Sequence, residues 1–339
     1  MDSLDGPAGD GEGEEEFAEE KASKELAGRS PTKIALGRLA HDKLAIVCGS
    51  ILLILAVLAV MAPWITDWLD IYPDQKDPAA PTPSEMLEGG GLPSFGPPNY
   101  PFTIDHPLGI EPGSGRDNLA LLLYGLRTSL TVAILATVVS TIVGVTLGLM
   151  AGYAKGALDA VLSFLIDFFL SFPFILGALA LAPIITSRFG GDQDMLRRAE
   201  LYSLVAILVL FGWMGLARLI RGQVLSLRER EFIQAARVIG VPTWQILFKE
   251  LLPNLVAPIV VAISLSVPAY VAAEAGLSFL GIGLTESPSL GKTVNTATDY
   301  FERYPLYLWT PVVTIMVMVI ALNLVGDSIR DAFDPKTRR

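Results

Sequence analysis

Two carboxylates stand inside long apolar runs, Asp167 and Glu274. A charge at the centre of a bilayer costs about 2.5–3.5 kcal/mol on insertion scales, so such a residue faces a protein interior and has a partner. Asp167 could be a pore-facing gate or substrate contact, or it could make a hydrogen bond between helices, and the second role is favoured. Glu274 lies about 20 residues into its run, or about 30 Å at helical rise. It is therefore near one membrane face, where it could line a gate or anchor a loop. Other chemistry is missing from the pattern. No Gly-x4-Gly-Lys-Ser/Thr loop is present to cradle phosphates. His41 and His106 are far apart, and nothing pairs a nucleophile with a base. The lone Cys48 excludes an internal disulfide and a cysteine-based metal site. The chain is expected to be no enzyme by itself and to use no metal or cofactor.

A second pattern lies in 228–254, the longest polar interruption in the carboxyl-terminal half. Phe232, Ala235, Ala236 and Ile239 recur at i, i+3, i+4 and i+7, which is one face of a helix. Gly240 supplies a left-handed stop. Val241-Pro242 turns the chain, Thr243 is the expected N-cap, and Trp244, Leu247, Phe248 and Leu251 repeat the stripe. Pro253 is expected to close the unit. The apolar face is far too short to span a membrane and reads as a docking element, with small residues at 235 and 236 permitting close approach to a partner. An ordinary interfacial hairpin is the alternative.

The elements that must position these residues are membrane helices. The 339-residue chain is 52% apolar with a positive mean hydropathy, and its apolar blocks reach the roughly 20 residues that a span needs. The net charge of −10 misleads, because residues 1–30 carry ten acids against Lys21, Lys24 and Arg29. Residues 1–37 are expected to form a disordered acidic tail. It has neither the basic start nor the apolar core of a signal peptide. Spans are predicted at 44–66, 129–150, 159–185, 201–219, 255–280 and 308–325, with a kink at Pro173 and another proline, Pro268, inside the fifth. Lys33, Arg38 and Lys43 before the first span place that end in the cytoplasm. Segment 67–127 holds nine acids and three bases, which places it outside. It is expected to be an ordered cap anchored by Trp68, Ile71, Tyr72, Leu87, Leu92, Phe95, Tyr100 and Phe102. Residues 128–335 form the core, interrupted by the basic loop 221–254, and 336–339 form a basic cytoplasmic tail. Asn323 and Asp327 are expected to tie the end of the last helix to neighbouring loops.

The loop at 228–254 resembles the cytoplasmic loop of permease subunits in binding-protein-dependent ABC importers. It carries Gln234-Ala235-Ala236, then Gly240, then Leu252-Pro253, with Gln234 and Glu250 departing from the usual Glu and apolar residue. Three further stretches resemble the dipeptide and oligopeptide branch. These are His106-Pro107-Leu108-Gly109 with Gly115-Arg116-Asp117, the run Glu274 to Gly281, and the ending from Asn323 through Asp327 to Pro335. In the first of these, Ile110 and Glu111 replace the usual Thr-Asp. The resemblance covers roughly 38–339. It implies an all-α polytopic protein with six transmembrane helices of the type I ABC importer permease fold, both termini cytoplasmic, and an extended outer segment after the first helix. It further implies coupling residues at Glu231, Phe232, Gln234, Ala235, Ala236, Arg237, Gly240, Leu252 and Pro253. The implied partners are a second homologous permease, two ATPase subunits that hydrolyse the ATP, an external solute-binding protein and a peptide substrate, with no nucleic acid. Nickel, glutathione or oligosaccharide remain alternative cargoes within the same branch. A secondary transporter predicts inverted repeats and a charge relay, and neither is visible. A non-transporting scaffold leaves the docking helices unexplained.

Overall fold

The computed structural model describes residues 31–73, 86–187, 193–284 and 287–333. Of the disordered acidic tail expected over 1–37, residues 1–30 lie outside the described residues, as does the basic tail 336–339, whereas residues 31–37 are helical and not disordered. Among the described residues the regular structure is helical, with only isolated bridges between extended residues. A short helix α1 (Pro31–Leu39) precedes the first long helix, α2 (Lys43–Leu69). The outer segment leads into α3 (Asn118–Tyr153), a helix of 36 residues capped by Asp117, whose side chain accepts from the Ala120 N–H at 2.9 Å. This helix begins eleven residues before the predicted span, because Asp117 and not the apolar boundary sets its start.

The third crossing is broken. α4 (Ala157–Ser171) and α5 (Phe174–Thr186) meet at 90°. The expected kink at Pro173 is in fact a complete break. Proline removes a donor and forces the preceding residue out of helical conformation, and Phe172 accordingly sits at φ −83°, ψ 131°. α6 (Gln193–Leu210) and α7 (Trp213–Leu227) follow, joined through Phe211-Gly212 into one crossing. Next come α8 (Glu231–Val238) and a helical run α9 over 243–254, whose middle, Ile246–Leu251, is π-helical. α10 (Val256–Phe279), α11 (Leu290–Ala297) and α12 (Pro305–Phe333) complete the chain. Among the described residues, five helices or helix pairs are long and apolar enough to cross a membrane, and the bent α4–α5 pair, counted as one span, brings the number to six.

The centre of the bundle is the contact of α3 with α7. Gly144, Gly148 and Gly152 lie one turn apart on α3, and a Cβ at Gly148 would sit 2.7 Å from the Ala217 carbonyl oxygen. A stripe of small residues lets membrane helices approach this closely, since apolar side chains gain little over lipid. The main apolar core joins α3, α6, α10 and α12 through residues such as Val132, Leu204, Leu208, Val271 and Met318. A second cluster at the loop end contains Leu149, Ile220, Val224, Ile233, Ile246, Leu251 and Leu255.

The segment between α2 and α3 packs against the residues before α12 where it is described. Tyr100 and Tyr304 are buried with ring centroids 4.9 Å apart, and Tyr304 donates to the Pro93 carbonyl at 2.6 Å. Glu111 accepts from the Tyr307 hydroxyl at 2.5 Å and pairs with Arg116 at 2.6 Å. Of the predicted anchors, Ile71 and Tyr100 are buried and Tyr72, Leu87 and Leu92 are half-buried. Trp68, Phe95 and Phe102 are exposed. Phe95 still stacks on Tyr304, 5.2 Å between centroids.

Candidate functional site

The loop between α7 and α10 folds back as the predicted helical hairpin. Gly240 has φ +82°, the left-handed stop that its position required. Thr243 is not the N-cap: Pro242 precedes the helix, and no side chain caps it. Pro253 does not close the unit either. It occupies the first turn of a helical segment, where its missing N–H is harmless, and the chain runs on through Leu255 into α10.

The stripes also face differently from their periodicity. Ile233 of α8 is fully buried, and Ile246 and Leu251 of α9 are buried with it. Ala236, Leu247 and Leu252 pack against the same cluster. The residues left outside are Phe232, Ala235, Val238, Ile239, Trp244 and Phe248, with Val238 88% and Ile239 80% exposed. Ala236 therefore serves this chain's own core, and Ala235 alone of the pair is on the open face. Glu231, Gln234, Gly240 and Pro253 are exposed too. Glu231 stands in the first turn of α8, where a carboxylate favours the helix dipole. Arg237 is half-buried, with its guanidinium carbon 4.6 Å from the centre of the Tyr153 ring. The result is a rigid apolar face carried on a basic loop.

The two carboxylates inside spans go to different places. Asp167 on α4 pairs with Arg218 on α7, 2.5 Å from Oδ1 to Nη2, and both side chains are more than half exposed. Asp159 and Arg221 form a second link between the same helices at 2.9 Å. Sequence patterning singled out Asp167 but missed its partner, although Arg218 and Arg221 repeat at helical spacing in an apolar run. Glu274 has no exposed surface. Its Oε1 accepts from the Ser278 hydroxyl at 2.8 Å, while its Oε2 finds no hydrogen-bond partner among the described residues.

Phe169, Phe172 and Phe174 gather around Phe211, with Phe172 stacked on it at 5.8 Å, whereas Phe168 is exposed. Beside them an apolar cavity of about 240 Å³ is lined by Phe174, Phe211, Gly212, Ser266 and Tyr270. Asn323 bonds to Val319 of its own helix and does not tie to a loop. The tie is made instead by Ser328, which donates to Asp42 at 2.6 Å. That bond holds the Asp42 carboxyl below the usual carboxylate range.

Known proteins with this arrangement are permease subunits. Residues 144–339 match the model of the binding-protein-dependent transport system inner membrane component, and residues 30–81 match the N-terminal TM domain of oligopeptide transport permease C. The oligopeptide transport system permease protein OppC of Escherichia coli K12 is 34% identical over 316 residues, covering 93% of this chain and 94% of the relative. The dipeptide transport system permease protein DppC of Alkalihalophilus pseudofirmus is 34% identical over 310 residues, 91% of each chain. Among solved structures, an inward-facing MetNI methionine ABC transporter superposes with a TM-score of 0.50 at 21% identity, covering 63% of this chain and 96% of that one, and supports the fold. The chain belongs to the binding-protein-dependent transport system inner membrane component family, as a multi-pass permease subunit of an ABC importer.

Proposed function

We propose that this chain forms half of the translocation path of an ATP-driven importer of di- and oligopeptides, and that its 228–254 hairpin seats in an ATPase subunit. The observation that carries this reading is the outward apolar face of Phe232, Val238, Ile239, Trp244 and Phe248 on an otherwise polar loop. The hairpin is fixed from behind by Ile233, Ile246 and Leu251, so it can move as a body when a partner moves it. Two ATPase subunits hydrolyse the ATP, a second homologous permease completes the path, and a solute-binding protein delivers cargo to the capped side. Both termini face the cytoplasm, in keeping with Arg38 and Lys43 before the first span and with the basic loop. Peptide cargo is supported by the relatives named as oligopeptide and dipeptide permeases.

The Asp167–Arg218 pair belongs to the path side of the bundle. An ion pair more than half exposed within a span is costly against lipid, so its open face belongs against the second permease or a water-filled passage. Glu274, sealed between helices, belongs to the wall and anchors the outer end. The test is purification of the complex with Ala235→Glu, which places a charge on the open face. ATPase subunits should be lost while the permease remains folded, and their full retention would sink the docking reading. Uptake of labelled peptides, competed with nickel, glutathione and oligosaccharide, decides the cargo.

A further inference from the structure

Three arginines from three successive parts of the chain converge on the turn between α3 and α4. Arg221 on α7 donates from Nε and Nη2 to Asp159 Oδ1 at 3.1 and 2.9 Å. Arg228, just past the end of α7, donates from Nη1 to the Gly152 and Ala154 carbonyl oxygens at 3.0 and 3.4 Å. Arg237, on α8 itself, donates from Nε to the Tyr153 hydroxyl at 3.2 Å while its guanidinium covers the ring. The turn at 152–159 is thus gripped along its length. Arg237 is the one grip that comes from a helix of the docking hairpin.

Helix-end carbonyls attract basic side chains in any protein, and Arg228 is explained that way. Arg237 is not, because it ignores the carbonyls and takes the face and hydroxyl of a side chain. A guanidinium stacked on an aromatic ring holds both direction and distance. Across the turn the links differ in kind. α3 is locked to α7 by close backbone approach at Gly148 and Gly152. α4 instead meets α7 through side chains, the Asp159–Arg221 and Asp167–Arg218 pairs beside Ile166, Leu162 and Phe169 packed on Trp213, Met214 and Ala217, and it ends at the 90° break before α5. Movement entering at the turn therefore meets, on one side, a helix locked by close backbone approach and, on the other, a helix held through its side chains and already broken at its far end.

We propose that Tyr153 is a positioning residue for transport: through Arg237 it passes displacement of the docking hairpin to the α3–α4 turn, and so to α4 and the Asp167–Arg218 pair. The assignment rests on the docking reading above and adds the route by which the hairpin acts on the membrane helices. Tyr153 touches neither substrate nor nucleotide in this scheme.

The experiment uses the complete importer with its ATPase subunits and solute-binding protein in liposomes of Escherichia coli polar lipid. It measures ATPase subunits retained, substrate-stimulated ATP hydrolysis, and labelled tripeptide taken up per ATP hydrolysed. Wild-type protein that retains no ATPase subunit overturns the docking reading and this route with it. With assembly established, Tyr153→Leu should keep its ATPase subunits and its hydrolysis, yet uptake per ATP should fall at least about fivefold, the low end of coupling between distant sites. Tyr153→Phe keeps the ring under Arg237 and should recover most of the ratio. Arg237→Gln removes the same contact from the loop side, which guards against a folding defect in Tyr153→Leu. Combining it with Tyr153→Leu should lower the ratio no further. An unchanged ratio in Arg237→Gln, or a fall in Tyr153→Phe as deep as in Tyr153→Leu, overturns the route.

Discussion

The cap between α2 and α3 and the hairpin between α7 and α10 both interrupt the membrane helices, and they follow opposite rules. In the cap, polar groups close on one another. Glu111 serves Arg116 and Tyr307, Asp117 both caps α3 and meets His106 Nδ1 at 2.8 Å, and Tyr304 reaches the Pro93 carbonyl. In the hairpin the buried contacts are apolar, through Ile233, Ile246 and Leu251, and other large apolar side chains are exposed. Both segments display large apolar side chains, Phe102 and Ile104 in the cap and Val238, Ile239 and Trp244 in the hairpin, so exposed apolar surface does not tell them apart. The difference teaches that length and polarity do not separate these two loops. What separates them is what holds them: a polar network around Glu111 in the cap, and the apolar cluster of Ile233, Ile246 and Leu251 in the hairpin.

The sharpest way to break the comparison is Glu111→Ala. It leaves Arg116 and Tyr307 without their acceptor in a largely buried place, and the expected loss is about 3–5 kcal/mol. The readout is thermal unfolding in detergent, with early protease cleavage inside the cap. A variant as stable as the parent would show that the cap does not depend on its own network. Gly109→Ala comes next. Gly109 has φ +76°, and a Cβ there would lie 1.9 Å from the Tyr100 ring. The left-handed backbone alone costs about 1–2 kcal/mol, and unfolding should shift accordingly, with the ring contact adding to it.

In the hairpin the same measurement should hardly respond. Ile239→Asp combined with Phe248→Asp removes exposed apolar area, so the permease's own stability should stay within about 0.5 kcal/mol of the parent. Retention of ATPase subunits should nevertheless be lost. Strong destabilisation of the isolated permease would place these residues in the core and erase the contrast.

The smallest effect is expected at the joint of the two chain ends. Asp42 is held below the ordinary carboxylate range, first by the Ser328 hydroxyl. A lowered folded value means that its contribution is complete above the unfolded value of about 3.9 and is lost as pH falls through the folded one. Ser328→Ala should therefore weaken the protein at neutral pH slightly and flatten the acid side of its stability profile. Parallel profiles for the two proteins would rule out this titration as the link.

The sequence by itself determined the class, the apolar blocks that become the spans, an interruption at Pro173 though not its depth, the stop at Gly240 and the family. Each rests on local chemistry: apolar run length, the missing proline donor, the freedom of glycine at positive φ, and short motifs. It also marked the loop that displays an apolar face, because helical spacing in a polar loop survives without knowledge of neighbours. Only the tertiary structure decided which side of that spacing is inside. Ile233, off the predicted stripe, became the buried anchor, and Ile239, on it, became the exposed one, because the direction of a helix face is fixed by what packs behind it. The partners of Asp167 and Asp42 were equally hidden, at separations of 51 and 286 residues. Tyr153 carried no signal at all, since an aromatic residue at a helix end gains its meaning only when Arg237, 84 residues away, is folded onto it.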